Sequence, residues 1–337
     1  MKGRRTVIPI FIPHQGCPHR CIYCDQRRIA SAEDRLPSPE EIAEEVRRWI
    51  RERRKRGTEE VQVAFYGGSF TALPLEVQGE LLKAVMPYVG EGVDSLRLST
   101  RPDALSPEGL KLLKEHAVRT VELGVQSLHP EVLKLSRRGY TPERAEEAVL
   151  MLKAWGFEVG VQLMLGLPGD TRGRFMETVS RTIALAPHFV RLYPTLVIRG
   201  TALERWYKEG RYRPLVLEEA ILWTAEALRE FEGHGVRVVR MGLQPTPELE
   251  ASVVAGPYHP AFGQLVRSRL AFEKALHLLK KSGLKRAVLK AHPRGIPELC
   301  GQKGENLSKL RKALSMEELR VKADPSLGEG ELVAEAA

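Results

Sequence analysis

Between residues 6 and 193 the chain repeats one pattern six times: a short run rich in Val, Ile and Leu, then a segment with helical spacing. The apolar runs are 6–12, 61–66, 95–100, 120–125, 158–165 and 189–193. Between them, segments such as 39–56, 75–88, 141–155 and 174–186 carry apolar residues one helical turn apart. In the first of these, Ile42, Val46, Trp49 and Ile50 follow Ser38, a residue type that caps helices. Strands alternating with helices join by right-handed crossovers and lie parallel. Runs without polar alternation predict a sheet covered on both faces. A closed eight-stranded barrel and an open doubly wound sheet both satisfy the pattern.

The connection after the first run holds three of the four cysteines, in Gly16-Cys17-Pro18-His19-Arg20-Cys21-Ile22-Tyr23-Cys24-Asp25. The spacing C-x3-C-x2-C puts three thiolates on one loop, where they can hold three corners of a [4Fe-4S] cluster and leave its fourth iron open. A structural zinc site needs four ligands, and Cys300 lies far away in sequence. A disulfide would leave an odd cysteine, and a redox pair of Cys21 and Cys24 would not need Cys17. The cluster is the favoured reading.

At 337 residues the chain accommodates one large α/β unit and a small appendage. The basic start is followed by an apolar run that ends at Pro13, which reads as a strand rather than a signal peptide. No stretch approaches the roughly 18 to 20 apolar residues that span a bilayer. No membrane association is therefore expected, and an oxygen-sensitive cluster with few cysteines suits a reducing cytoplasm. Net charge is +9, part of it in the run 47–56. Such a run is first a solvated helix face, yet a basic balance favours polyanionic partners.

In a barrel the ends of the strands carry the site. Here they carry FYGGSFT (65–71), STRPD (99–103), ELGVQSL (122–128) and MLGLPGDT (164–171). A polar residue at such a position is either a ligand contact or a satisfied loop side chain. The order of these motifs behind the cysteine loop, with Tyr23 before the last cysteine, resembles the radical S-adenosylmethionine enzymes related to oxygen-independent coproporphyrinogen oxidase. The chain is more similar still to the catalytic subunit of Elongator, which modifies the wobble uridine of transfer RNA. Segments 193–201 (YPTLVIRGT), 210–212 (GRY) and 256–263 (GPYHPAFG) extend that likeness over roughly 270 residues.

The resemblance implies an α/β fold, a partial (β/α)6 TIM-type barrel. It implies a [4Fe-4S] cluster on Cys17, Cys21 and Cys24 that reductively cleaves S-adenosylmethionine to a 5′-deoxyadenosyl radical. Tyr23, Gly67, Gly68 and Ser69 would then border the cosubstrate, the glycine carbonyls accepting from its ammonium. Thr100 and Arg101 would face its ribose or carboxylate, Gln126 and Gln162 the mouth, and backbone near Leu165 and Gly166 its adenine. An electron donor, a reductase or a flavodoxin or ferredoxin, is implied as well. Two departures stand out. The spacing between Cys17 and Cys21 lacks the insertion of the Elongator subunit. No acetyl-CoA phosphate loop or acetyltransferase domain is found either, so acyl transfer would need a partner acyltransferase.

Residues 287–322 read as strand, short helix, Gly301-Gln302-Lys303-Gly304, helix and strand, an order similar to the core of a KH domain. In KH domains the G-x-x-G loop clamps nucleic acid backbone, so Gly301, Gln302, Lys303 and Gly304 are candidate RNA contacts. Cys300 is expected to be a small buried residue. The expected organisation is a barrel over 1–200, a covering region over 201–284, the small α+β KH-like unit over 285–325 and a frayed acidic tail over 326–337. The leading function is modification of RNA, with transfer RNA as partner. The alternatives are a radical enzyme acting on a small molecule such as a tetrapyrrole, and a non-catalytic iron–sulfur RNA-binding protein.

Overall fold

In the computed structural model, which describes residues 5–12, 14–18, 20–30, 35–53 and 60–337, the six expected strands are all present. In chain order the first part holds β1 (Arg5–Phe11), α1 (Gln26–Ala30), α2 (Pro39–Arg53), β2 (Glu60–Tyr66), α3 (Leu75–Lys83), β3 (Ser95–Thr100) and α4 (Pro107–Glu115). Next come β4 (Val118–Gln126), α5 (Pro130–Leu135), α6 (Pro142–Ala154), β5 (Glu158–Leu165), α7 (Arg172–Ala184) and β6 (Phe189–Pro194). Then follow β7 (Val197–Ile198), α8 (Ala202–Lys208), α9 (Leu217–Gly233), β8 (Arg237–Met241), α10 (Pro247–Ser252) and β9 (Val253–Ala255). The last part holds α11 (Phe262–Ser282), β10 (Arg286–Ala291), α12 (Ile296–Cys300), α13 (Glu305–Leu314), β11 (Glu318–Ala323) and β12 (Leu332–Ala336). The first expected helix reached residue 56. α2 is described to Arg53, and Arg54, Lys55 and Arg56 lie outside the described residues.

Local chemistry explains the helix starts. The hydroxyls of Ser106, Thr141, Thr171 and Thr201 each accept from the backbone N–H three residues on. Each such cap satisfies one of the orphan donors of a helix N-terminus.

Strand order distinguishes the two architectures that periodicity left open. The large sheet runs β1-β2-β3-β4-β5-β6-β8, every pair parallel. Each right-handed crossover therefore moves in the same direction and returns its helices to the same face. A doubly wound sheet would reverse direction at a switch point. The two edge strands, β1 and β8, do not pair, so this is a partial barrel, with seven strands where six were expected. The seventh is β8, whose Val238 pairs with Val190.

The face opposite the helices departs from expectation. The residues toward the helices are apolar and buried: Ile8, Ile10, Val61, Val63, Phe65, Leu96, Leu98, Val121, Leu123, Val159 and Val161. Many alternate positions on the other face are polar, among apolar ones such as Ala64 and Phe189. Glu122 is fully buried there, its Oε1 3.1 Å from Arg97 Nε and its Oε2 2.6 Å from Arg191 Nε. Tyr66 hydroxyl and Gln162 Nε2 also donate to it, at 3.0 and 3.2 Å. Beneath, Gln62 Nε2 donates to Ser95 Oγ, and Thr120 hydroxyl to Glu158. The interior of this partial barrel is thus a polar, charge-paired layer.

The chain forms two compact units, one up to Val216 and over Glu230–Tyr258, the other over Leu217–Arg229 and His259–Ala337. In the second, a three-stranded sheet of order β11-β10-β12 packs with α11, α12 and α13 around Ala275, Leu279, Leu289, Leu299, Leu310 and Leu319. α11 supplies part of that core, so the unit takes in residues well before 285. The tail expected to fray instead forms β12, antiparallel to β10. Leu332 and Ala334 pack on the core while Glu335 beyond them is exposed, and the glutamates around this short apolar run hid the strand inside an acidic composition. Among the described residues no helix is long and apolar enough to cross a membrane.

One close contact inside the barrel is testable. A Cβ on Gly160 would lie 2.3 Å from the Phe189 ring, and the Arg97 guanidinium stacks over that ring at 5.1 Å. Gly160→Ala should destabilise by about 1–3 kcal/mol through overpacking. Adding Phe189→Leu should recover part of the loss in a denaturant titration, and additive losses would rule this contact out.

Candidate active site

The cysteine loop is seated on the end of β2 backbone to backbone. Ile12 N–H donates to Tyr66 O at 2.8 Å, and Ser69 N–H to Gln15 O at 2.9 Å. A Cβ on Gly68 would lie 2.2 Å from Gln15 O and 2.4 Å from Ile12 O. A Cβ on Gly16, whose φ is +72°, would lie 2.2 Å from Ser69 O. Gly68 was expected to admit a ligand; the structure shows that the protein's own loop already uses its missing side chain. Gly67, with φ of +102°, makes the turn. Farther along, Ile22 N–H donates to Ser136 O at 3.4 Å and Ile22 O accepts from Leu203 at 2.8 Å.

Cys17, Cys21 and Cys24 are free thiols. Burial pushes the Cys24 thiol far above its ordinary range, and the neighbouring Cys21 and Cys17 push the same way. Burial also raises Cys17, while Arg101 and Arg138 act against it. Arg138 is the residue that sequence reasoning missed. It is buried, with Nη1 3.0 Å from Cys21 Sγ and 3.1 Å from Tyr23 hydroxyl, and Nε 2.9 Å from Tyr140 hydroxyl. Nη2 donates to Gly124 O. Its signal was an arginine pair before Gly139-Tyr140, just past ELGVQSL, but Cys21 is 117 residues away.

The donor set fits a [4Fe-4S] cluster: three free thiols on one loop beside a buried cation that offsets thiolate charge. Among the described residues no three His, Cys, Asp or Glu side chains stand close enough to grip one ion. A cube instead takes each thiolate on a separate iron.

The remaining predicted residues divide. Thr100 hydroxyl bonds Ser69 Oγ at 3.0 Å and Thr71 Oγ1 at 2.6 Å, so Ser69 and Thr100 are buried together. Arg101 is bidentate to Asp103 at 2.9 and 2.8 Å and donates to Arg138 O. Gln126 ends β4 with a left-handed φ of +67°, and its buried Oε1 has no partner. That orphan acceptor is what a polar cosubstrate would satisfy. Gln162 belongs to the Glu122 layer instead. Leu165 O accepts from Thr195 N–H and hydroxyl, Gly166 N–H donates to Asp170 and Gly166 O accepts from Tyr212. The backbone groups expected to embrace adenine are therefore already paired within the chain.

Residues 11–182, just over half of the chain, match the radical SAM superfamily. The chain belongs to that superfamily. Residues 187–271 match the radical SAM C-terminal domain. The superfamily uses a [4Fe-4S] cluster and S-adenosylmethionine. This radical SAM chain is 28% identical to an uncharacterized protein of Methanocaldococcus jannaschii over 282 residues, 81% of this chain and 84% of that one. It is 30% identical to the tRNA uridine(34) acetyltransferase of Methanocaldococcus infernus over 185 residues, 49% of this chain and 35% of that one. The match thus spans about a third of that named relative. A solved structure, the archaeal Methanocaldococcus infernus Elp3 with an N-terminal deletion, shares the fold with TM-score 0.61 at 24% identity, covering 82% of this chain and 64% of that one.

In the second unit of this radical SAM protein the G-x-x-G turn lies between α12 and α13. Gly301, Lys303 and Gly304 all have positive φ, 71°, 52° and 76°. Gly301 is needed because a Cβ there would lie 3.0 Å from Asn306. The buried amide of Asn306 bonds Ser268, Glu298 and Leu299. Gln302 and Lys303 are exposed, and Cys300 is half-buried rather than buried.

Burial raises the Asp170 carboxyl from 3.8 to about 7, opposed by the N–H groups of Gly166 and Thr171 and by Arg174. Between about 4 and about 7 the folded chain therefore keeps a proton the unfolded chain has lost, and stability falls as pH rises through that window. Melting temperatures measured across it should fall for the wild type relative to Asp170→Asn. A difference that does not change with pH would contradict this.

Proposed function

We propose that this radical SAM enzyme modifies RNA, with transfer RNA as substrate. The observation that carries the reading is the likeness to a tRNA uridine(34) acetyltransferase, at 30% identity over 185 residues. The exposed Gln302-Lys303 turn between two glycines supports it, as does the net charge of +9. Cluster and cosubstrate together supply, when bound, an electron and the reductive cleavage that yields a radical able to take hydrogen from carbon.

The chain's own residues do the holding. Cys17, Cys21 and Cys24 offer three thiolates, and Arg138 offsets their charge and fixes Tyr23 beside them. The Gly16–Ser69 and Gly68–Gln15 contacts set where that loop lies relative to the strand ends. Gln126 offers its unpartnered oxygen to the cosubstrate. The apolar packing of Ile22, Leu167, Val197 and Leu203 around the loop excludes water. A flavodoxin, ferredoxin or reductase would deliver the electron, and a partner acyltransferase is a candidate for installing an acyl group. The setting is a reducing cytoplasm.

Anaerobic reconstitution with iron and sulfide, then dithionite and S-adenosylmethionine, should release 5′-deoxyadenosine, and Cys24→Ala should reduce it to the no-enzyme background. Mass spectrometry of transfer RNA nucleosides from a strain lacking the gene should show one modified nucleoside gone. An unchanged nucleoside profile, together with no salt-dependent binding of bulk transfer RNA, would exclude the RNA reading.

A further inference from the structure

A cavity of about 370 Å³ opens beyond the end of β5, walled by the loop 166–170 and by the segment that follows α8. None of the three cluster cysteines lines it. Leu167 and Tyr212, which pack against Cys21, Ile22 and Tyr23, also form its wall, so it lies behind the cysteine loop. Its volume is within the range of small-ligand sites.

Its chemistry is specific. Trp206 is half-buried and carries the Arg211 guanidinium over its ring at 4.6 Å. Arg213 is exposed at the rim. The Tyr212 hydroxyl is spent on Gly166 O at 2.6 Å, which leaves its ring to the wall. Asp170 is held by the N–H groups of Gly166 and Thr171 at 2.9 and 3.0 Å. An indole already stacked by a planar cation is a platform for a planar base. Two arginines beside it suit a phosphate, and a carboxyl at the back accepts from ring or exocyclic N–H groups.

We propose that this cavity holds one unpaired nucleotide of single-stranded RNA, its base on Trp206 and its phosphate at Arg211 and Arg213. The inference rests on the RNA reading above and adds where a nucleotide sits outside the radical site. Arg211 Nη1 also donates to Glu209 Oε2 at 3.1 Å, so entry of the base would require Arg211 to exchange the indole and Glu209 for the phosphate.

The test is fluorescence anisotropy of the full-length, cluster-reconstituted protein under anaerobic conditions, with a labelled single-stranded RNA over a range of salt. Trp206→Ala should weaken binding about tenfold with the salt slope unchanged, and Trp206→Phe should stay within about twofold of wild type. Arg213→Ala should reduce the slope of log affinity against log salt by about 0.7. A fully paired duplex should bind about tenfold more weakly. If wild type binds RNA and neither Trp206→Ala nor Arg213→Ala alters it, the cavity is not the site while the RNA reading stands. If wild type binds no RNA, both fail. Thermal melting by circular dichroism checks folding; should Trp206→Ala melt early, the exposed Arg213→Ala decides.

Discussion

The site rests on a contact between two stretches of backbone with no side chain between them. Gly16 meets Ser69 O and Gly68 meets Gln15 O at distances that no Cβ allows. The loop holding the cysteines therefore has a defined seat on the end of β2 before any metal arrives. A loop placed only by its ligands would have to be ordered by them, at about 1–2 kcal/mol per residue. Here much of that ordering is done by the fold, through Ile12, Ser69 and the two glycines.

A second constraint lies deeper. Glu122 is buried between Arg97 and Arg191, so the layer holds two cations and one carboxylate with no exposure at the carboxylate. Each buried charge is expensive to desolvate, and the arrangement persists because Tyr66 and Gln162 fill the remaining acceptor positions of Glu122. Losing the carboxylate would leave two guanidiniums facing each other in the interior. A polar layer of this kind favours one arrangement of the strand ends, whereas a greasy interior tolerates small shifts. The price is a core with less apolar burial than the strands' composition suggests.

Much of this was legible in the residues. Alternation of apolar runs with helical segments predicted the parallel sheet, and C-x3-C-x2-C predicted the cluster loop. The order around Gly301–Gly304 predicted strand, helix, turn, helix and strand. What escaped notice has physical reasons. Gln62, Arg97, Glu122, Gln162 and Arg191 sit singly among Val and Leu, so each strand still reads as apolar although its inner face is not. Arg138 is brought to Cys21 by tertiary packing alone. The pairing of Arg101 with Asp103, two residues on, was not read from the sequence either. In β12, two small apolar contacts outweigh an acidic composition.

The net charge of +9 invites a simple electrostatic account of a polyanionic partner, and the fold narrows it. Arg97, Arg101 and Arg138 are buried and committed to Glu122, Asp103 and the thiol loop. Their charge serves the interior. Only exposed cations draw a phosphate at surface dielectric, and among the residues argued here those are Arg213, Lys303 and Arg211, the last of them paired with Glu209. Attraction from a few such groups brings a polyanion close without choosing where it settles. Under the RNA reading proposed above, shape would decide where it settles: the indole of Trp206 would take a base, and the glycine-flanked turn a stretch of backbone.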